Sequence, residues 1–248
     1  MLISQRYTRH KTIIEQPTPP PPKTEGSPMP GRKSFYGPFL TPERLILLLI
    51  ILLGLVLGAL LWVRPGGLRD HCFPKRWGVV QAGYIYRSGQ MPPFLLKKLL
   101  RRHQIRRIVD LQFLEPTNTW QLAEQKIAGE LGIQYTNHPL YGSGIGEVWH
   151  YARAIGLMYR AAKEQQPVLV HCAAGSQRTG GVVAAYRLLI EKQSPATVYA
   201  ELLSYGWVPQ KDQLLLDFLY ERMAELAARL LEMEVIDAIP DPLPVIGP

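Results

Sequence analysis

Cysteine is scarce in this chain. Its 248 residues hold two, Cys72 and Cys172, too few for a disulfide-rich scaffold or a four-cysteine zinc site. Charge is missing altogether from residues 45–63, LILLLIILLGLVLGALLWV, so this stretch does not read as an amphipathic surface helix. Acids are outnumbered: 20 Asp and Glu stand against 28 Lys and Arg, a formal charge of +8. That excess suits anionic partners such as nucleic acid, acidic lipid or phosphate groups, and does not choose among them. No internal repeat is visible. Apolar material is plentiful at 47%, enough for a core and too much for wholesale disorder.

The chain is uneven. Residues 1–44 are rich in breakers, with Pro17, Pro19 to Pro22, Gly26, Pro28, Pro30 and Gly31. Proline lacks a donor and fixes its own φ, so this segment reads as an extended, disordered tail. Residues 45–63 follow. At helical rise they match the ~30 Å core of a bilayer, with Arg44 and Arg64 at the ends and Trp62 at an interfacial position. They are expected to form a single transmembrane helix. Flanking Lys and Arg are nearly balanced, so the positive-inside rule leaves its orientation open. Residues 64–76 read as a linker.

From residue 77 to 231 the pattern becomes that of an α/β domain. Strand-like runs at Tyr84–Tyr86, Arg107–Leu111, Ile133–Tyr135 and Val168–Val170 are β-branched or aromatic. Helical periodicity covers Phe94–His103, Thr119–Leu131, Val148–Lys163, Thr179–Lys192, Pro195–Tyr205 and Gln213–Leu231. Such alternation predicts a mostly parallel sheet flanked by helices. The proline-dotted residues 232–248 read as a disordered C-terminal tail.

The chemistry concentrates in Pro167-Val-Leu-Val-His171-Cys172-Ala-Ala-Gly175-Ser-Gln-Arg178-Thr179-Gly180-Gly181. A buried strand runs through a tight loop into a helix. Such a loop turns backbone N–H groups inward and makes a nest for an oxyanion. Gly175 opens conformations closed to other residues, and the planar fork of Arg178 suits two phosphate oxygens at once. The same dipoles favour a thiolate at Cys172, lowering its pKa below the usual ~8.5. A thiolate set against a tetrahedral anion is a nucleophile for phosphoryl transfer.

These residues resemble the signature of the cysteine-dependent protein tyrosine and dual-specificity phosphatases: His-Cys, five residues, Arg, then Ser or Thr. Upstream, Tyr86-Arg87-Ser88-Gly89-Gln90-Met91-Pro92 is similar to the segment near the start of bacterial members. The resemblance covers roughly residues 77–225. It implies a central four- or five-stranded sheet flanked by helices, no metal or other cofactor, and a phosphocysteine intermediate. It further implies that Cys172 is the nucleophile and that Arg178 grips the phosphate. Thr179 would donate to the departing sulfur, and His171 would orient the loop. Ala173, Ala174, Gly175, Ser176 and Gln177 would act through main-chain amides. Arg87 and Ser88 read equally as props for the loop or as part of a surface strand.

One departure matters. Members supply an Asp from a mobile loop some thirty residues before the Cys, to protonate the leaving oxygen. The corresponding Asn137–Glu147 stretch contains no Asp, and Glu147 is its only carboxylate. Glu147 reads either as the acid, carried on a glycine-rich lid, or as a first-turn charge suited to the helix dipole. Asp110, ending a strand, is an alternative acid. Lysine is also absent from the loop interior, where Ala173 and Gln177 stand. That favours a singly phosphorylated group, phosphotyrosine first, with phosphoserine and phosphothreonine behind it.

The expected partners are therefore a phosphorylated protein substrate and the membrane lipid around the apolar helix. The reducing conditions that preserve a thiolate place the catalytic domain in the cytoplasm. A basic run, Lys97, Lys98, Arg101, Arg102, His103, Arg106 and Arg107, reads as a lipid-facing surface or a solvated helix face. No nucleic-acid motif accompanies it. Two other functions fit the loop: a pseudophosphatase that binds phosphorylated partners without turnover, and a rhodanese-type sulfurtransferase.

Overall fold

The computed structural model describes residues 41–63, 69 and 72–247. Residues 1–40 of the proline-rich tail and most of the first half of the linker lie outside them. Helix α1, Pro42–Val63, starts three residues before the apolar run, with Pro at a position where a missing N–H costs nothing. Its segment Pro42–Trp62 is long and apolar enough to cross a membrane, with a mean hydropathy of 3.1 and no buried share.

In the second unit, a five-stranded sheet is laid out in the order β1-β2-β5-β3-β4. The strands are β1 (Gly78–Gln81), β2 (Ile85–Gly89), β3 (Arg107–Asp110), β4 (Gln134–Asn137) and β5 (Val168–Cys172). β1 is antiparallel to β2, and the other pairings are parallel. The expected α/β class and mostly parallel sheet are thus present. β1 was not legible as a strand because it is a short edge, with Val79 exposed on one side. β5 is central and buried along its whole length.

Alternation along the strands sorts the core into two layers. Tyr86, Ile108 and Leu169 pack with Leu95, Leu96, Leu99 and Leu100 of α2 (Pro93–Arg102) and Ile127 and Ala128 of α3 (Thr119–Leu131). Val168, Val170 and Cys172 point the other way. They meet α4 (Val148–Lys163), α5 (Gln177–Leu189), α6 (Pro195–Ser204) and α8 (Leu214–Glu232), with the one-turn α7 (Pro209–Asp212) between the last two. Local signals set the helix ends. Asn118 accepts from the amides of Trp120 and Gln121 at 3.2 Å each, and Gly132 closes α3 in the left-handed region at φ 64. Ser194 caps α6 ahead of Pro195.

The C-terminal end corrects the sequence reading. Residues 232–248 were expected to be a disordered tail, but Glu232 completes α8, and Val235 is only 4% exposed. Ile236, Leu243 and Ile246 pack on the same core. The prolines interrupt regular structure without preventing these apolar side chains from being buried.

Candidate active site

Cys172 ends the central strand, and α5 begins five residues later at Gln177. The loop between them is held from outside, carbonyl by carbonyl. Gln90 N–H donates to the Ala173 carbonyl at 3.2 Å, Arg76 to that of Ala174 at 2.9 Å, and Arg87 to that of Gly175 at 3.0 Å. With three successive carbonyls turned outward, the amides are left to face the inside. Gly175 sits at φ +79, and a Cβ there would lie 2.5 Å from the Gly89 nitrogen. Gly89 has the reciprocal constraint, a Cβ there meeting the Ala174 carbonyl oxygen at 2.7 Å. β2 and the loop therefore approach each other as only two glycines allow.

Arg87 belongs to this support. It is fully buried, pairs with Glu201 at 3.3 Å, and lies 3.6 Å over the Tyr205 ring. Burial pushes its guanidinium below its ordinary value, against the pull of Glu201. The surface-strand reading of Arg87 and Ser88 does not survive: both are closed to solvent.

The Cys172 sulfur accepts from the Gly175 amide at 3.1 Å. Burial alone would raise its pKa. Arg178, the Thr179 hydroxyl and the amides of Thr179 and Gly175 outweigh that and lower it. Arg178 has no carboxylate within ion-pair range among the described residues, so its donors are not committed to the protein. Tyr151 lies behind the sulfur, and burial followed by the charge of Cys172 raises its phenol well above the ordinary range.

His171 points to the other side of the sheet, where its Nε2 lies 3.0 Å from Oε1 of buried Glu124. Burial favours the neutral ring, but Glu124 and then Asp110 push its pKa up to about 9. The imidazolium is thus fixed beneath the loop. Asp110, Glu124 and His171 bring potential ligand atoms within 4.8 Å of one another. Both Asp110 oxygens already accept from Gln112, Gln121 and Tyr135, and His171 faces Glu124, so the set reads as a support beneath the loop.

Asp110 requires a correction as a candidate acid. It is 0% exposed. One oxygen accepts from the backbone and side chain of Gln112 at 2.9 and 3.2 Å, the other from Gln121 at 2.9 Å and Tyr135 at 2.7 Å. Four donors and no opening leave no path to a leaving group.

Glu147 is the N-terminal flank of α4 and is exposed, without a capping bond. It lines a surface groove of about 530 Å³ together with Tyr141, Phe218, Asp217 and Glu221. Its loop does touch the phosphate-binding side. Gly144 lies against the Gln177 carbonyl, within 3.3 Å of where a Cβ would stand, and Tyr151 donates to the Gly144 carbonyl. His138, in the same stretch, is held neutral: burial, then His150 and Arg153, bring its pKa down to about 4.

Besides Glu201, the partner of Arg87, three residues went unmarked in the sequence. Arg76 and Glu124 act across 98 and 47 positions of chain, with Arg76 on Ala174 and Glu124 on His171. Glu124 left a legible trace, a charge on the inward face of α3 beside Gln121, Ile127 and Ala128. Asp212 of α7 accepts from the side chain of Gln177, and its other oxygen from Val208 N–H at 2.9 Å.

A sequence profile of the tyrosine phosphatase family matches residues 72–234. The chain belongs to that family. The match spans the sheet, the loop from Cys172 to Gln177 and the helices packed on them. Solved structures agree in fold. TpbA of P. aeruginosa aligns with a TM-score of 0.51 at 19% identity, covering 64% of this chain and 91% of TpbA. The catalytic core of Siw14, from S. cerevisiae, gives 0.51 at 20%, covering 63% and 94%. No curated protein matches the chain by sequence.

Proposed function

We propose that this tyrosine phosphatase family member is anchored in a membrane by α1 and hydrolyses phosphotyrosine, with phosphoserine and phosphothreonine as slower substrates. The observation that carries the reading is the buried Cys172 thiol, its pKa lowered by Arg178, Thr179 and the loop amides and its sulfur accepting from the Gly175 amide. The thiolate attacks phosphorus, forming the S–P bond as the P–O bond to the leaving group breaks. Glu147 supplies the proton to that oxygen. Water then attacks phosphorus, giving its proton to the Glu147 carboxylate left by the first step, the S–P bond breaks, and Thr179 hydrogen-bonds the departing thiolate. Arg178 and the amides neutralise the equatorial oxygens in both steps. The apolar and amide side chains of Ala173 and Gln177, where lysines would add charge, favour one phosphate over several.

Steady-state kinetics of the full-length protein on phosphotyrosine, phosphothreonine and inositol-phosphate substrates tests the assignment. Phosphotyrosine should give the highest kcat/KM, and a preference for the inositol phosphate would overturn it. We place the domain on the cytoplasmic side, where thiolates stay reduced. Cys72 is exposed and follows α1 in the chain. A membrane-impermeant thiol reagent applied to intact cells should leave it unlabelled; labelling from outside would reverse the orientation.

A further inference from the structure

Residues 93–107 contain Lys97, Lys98, Arg101, Arg102, Arg106 and Arg107 and not one acid. Two of these cations are engaged, Lys97 with Glu130 at 2.7 Å and Arg107 with Glu164 at 3.6 Å. Lys98, Arg101, Arg102 and Arg106 are exposed, with no carboxylate in ion-pair range among the described residues. At 100° per residue, Phe94, Lys98, Arg101 and Arg102 share one face of α2 about 100° wide. Leu95, Leu96, Leu99 and Leu100 fill the opposite face and are buried. Phe94 stands among the cations and is 64% exposed.

The charge is concentrated here rather than spread. Residues 72–247 hold 19 Lys and Arg against 16 Asp and Glu, an excess smaller than the charge of this one segment. On the other layer, the groove beside α8 is mostly acidic, with Glu147, Asp217, Glu221 and Glu225 around it and Arg222 among them. A surface of fixed, unpaired cations with an aromatic at its centre suits a plane of anionic headgroups, into which the ring can insert.

We propose that the outer face of α2 docks on the anionic lipid headgroups of the bilayer that α1 spans. The inference rests on the membrane reading of α1. Residues 64–77 reach about 50 Å at full extension, so the domain is always within range of that surface. Docking through α2 leaves the other layer, with this groove, free for soluble substrates.

The test uses full-length protein in lipid nanodiscs, either phosphatidylcholine alone or phosphatidylcholine with phosphatidylserine. The acylation rate of Lys98 by a water-soluble reagent is read by mass spectrometry against Lys211, an exposed lysine on α7. Lys98 should slow severalfold in the anionic discs alone and recover in ~1 M salt, where screening reaches about 3 Å. Neutralising Arg101, Arg102 and Arg106 together (Arg→Gln) should abolish the protection while turnover of a small aryl phosphate is unchanged. Each cation removed weakens docking about fivefold. Equal Lys98 rates in both discs would overturn the proposal, and protection by an RNA oligonucleotide in neutral discs would transfer the face to nucleic acid. Resistance of the wild-type chain to alkaline extraction from neutral vesicles reports on α1 by itself, so the two readings fail separately.

Discussion

The nucleophile loop and the loop from Asn137 to Glu147 border the same site and are built in opposite ways. In the first, three successive carbonyls are held from outside, two glycines interlock, and the sulfur accepts from the Gly175 amide within the field of Arg178. In the second, the amides of His138 and Leu140 are tied to the carbonyls of Asp110 and Leu111, Tyr151 donates to the Gly144 carbonyl, and the one carboxylate is exposed beside a groove. On the proposed mechanism the first loop holds the phosphate in a preorganised nest, and the second ends in the exposed carboxylate that meets the leaving group.

The largest effect should come from the rigid half. Cys172→Ser removes the nucleophile and keeps the nest and Arg178, so turnover should vanish while a phosphate analogue still binds. Calorimetric titration with vanadate or phosphate, beside an activity assay, checks both parts; hydrolysis near the wild-type rate would sink the mechanism.

The Glu147 side is next. Glu147→Gln should cost about 10²–10⁴-fold on an alkyl phosphate and far less on an activated aryl phosphate, whose oxygen leaves unaided. Equal losses on the two substrates would mean a binding or structural role. The same contrast in Asp212→Asn, with Glu147→Gln active, would move the proton to the carboxylate that holds Gln177.

Gly175→Ala sharpens the comparison through stability. A side chain at φ +79 is strained, and its Cβ would run into β2. Denaturant unfolding should show a loss of about 2–4 kcal/mol. Gly142→Ala, with nothing within 4 Å of its Cβ position, should be close to neutral.

The smallest effect is a pH dependence. The His171 pKa is raised from 6.5 to about 9, so the folded state binds the extra proton between those values. The stabilisation is fully present below pH 6.5 and is lost as pH rises through about 9, on the order of 3 kcal/mol at most. Glu124→Gln should flatten that slope in unfolding curves recorded across this range, and an unchanged slope would remove the ion pair from the account.

How far the sequence could be read follows the same division. Strand, loop and helix of the nucleophile are contiguous, so Cys172 through Thr179 could be placed from local pattern alone. α3 and α4 were legible to their ends because asparagine, glycine and apolar spacing mark them. Arg76 and Glu201 were not legible, since they reach the site from distant positions, and Glu124 left only an inward-facing charge as a trace. Asp110 misled for a related reason. Its place at a strand end suited an acid, and only the packing of Gln112, Gln121 and Tyr135 around it reveals a buried acceptor.

The central claim is that phosphate passes through Cys172. Full-length protein mixed with a phosphotyrosine peptide carrying labelled phosphate, quenched within a turnover and digested at alkaline pH, tests it directly. The label should reside on the peptide containing Cys172 at quench times within the first turnover. Full turnover with no label on that peptide at any quench time would contradict it.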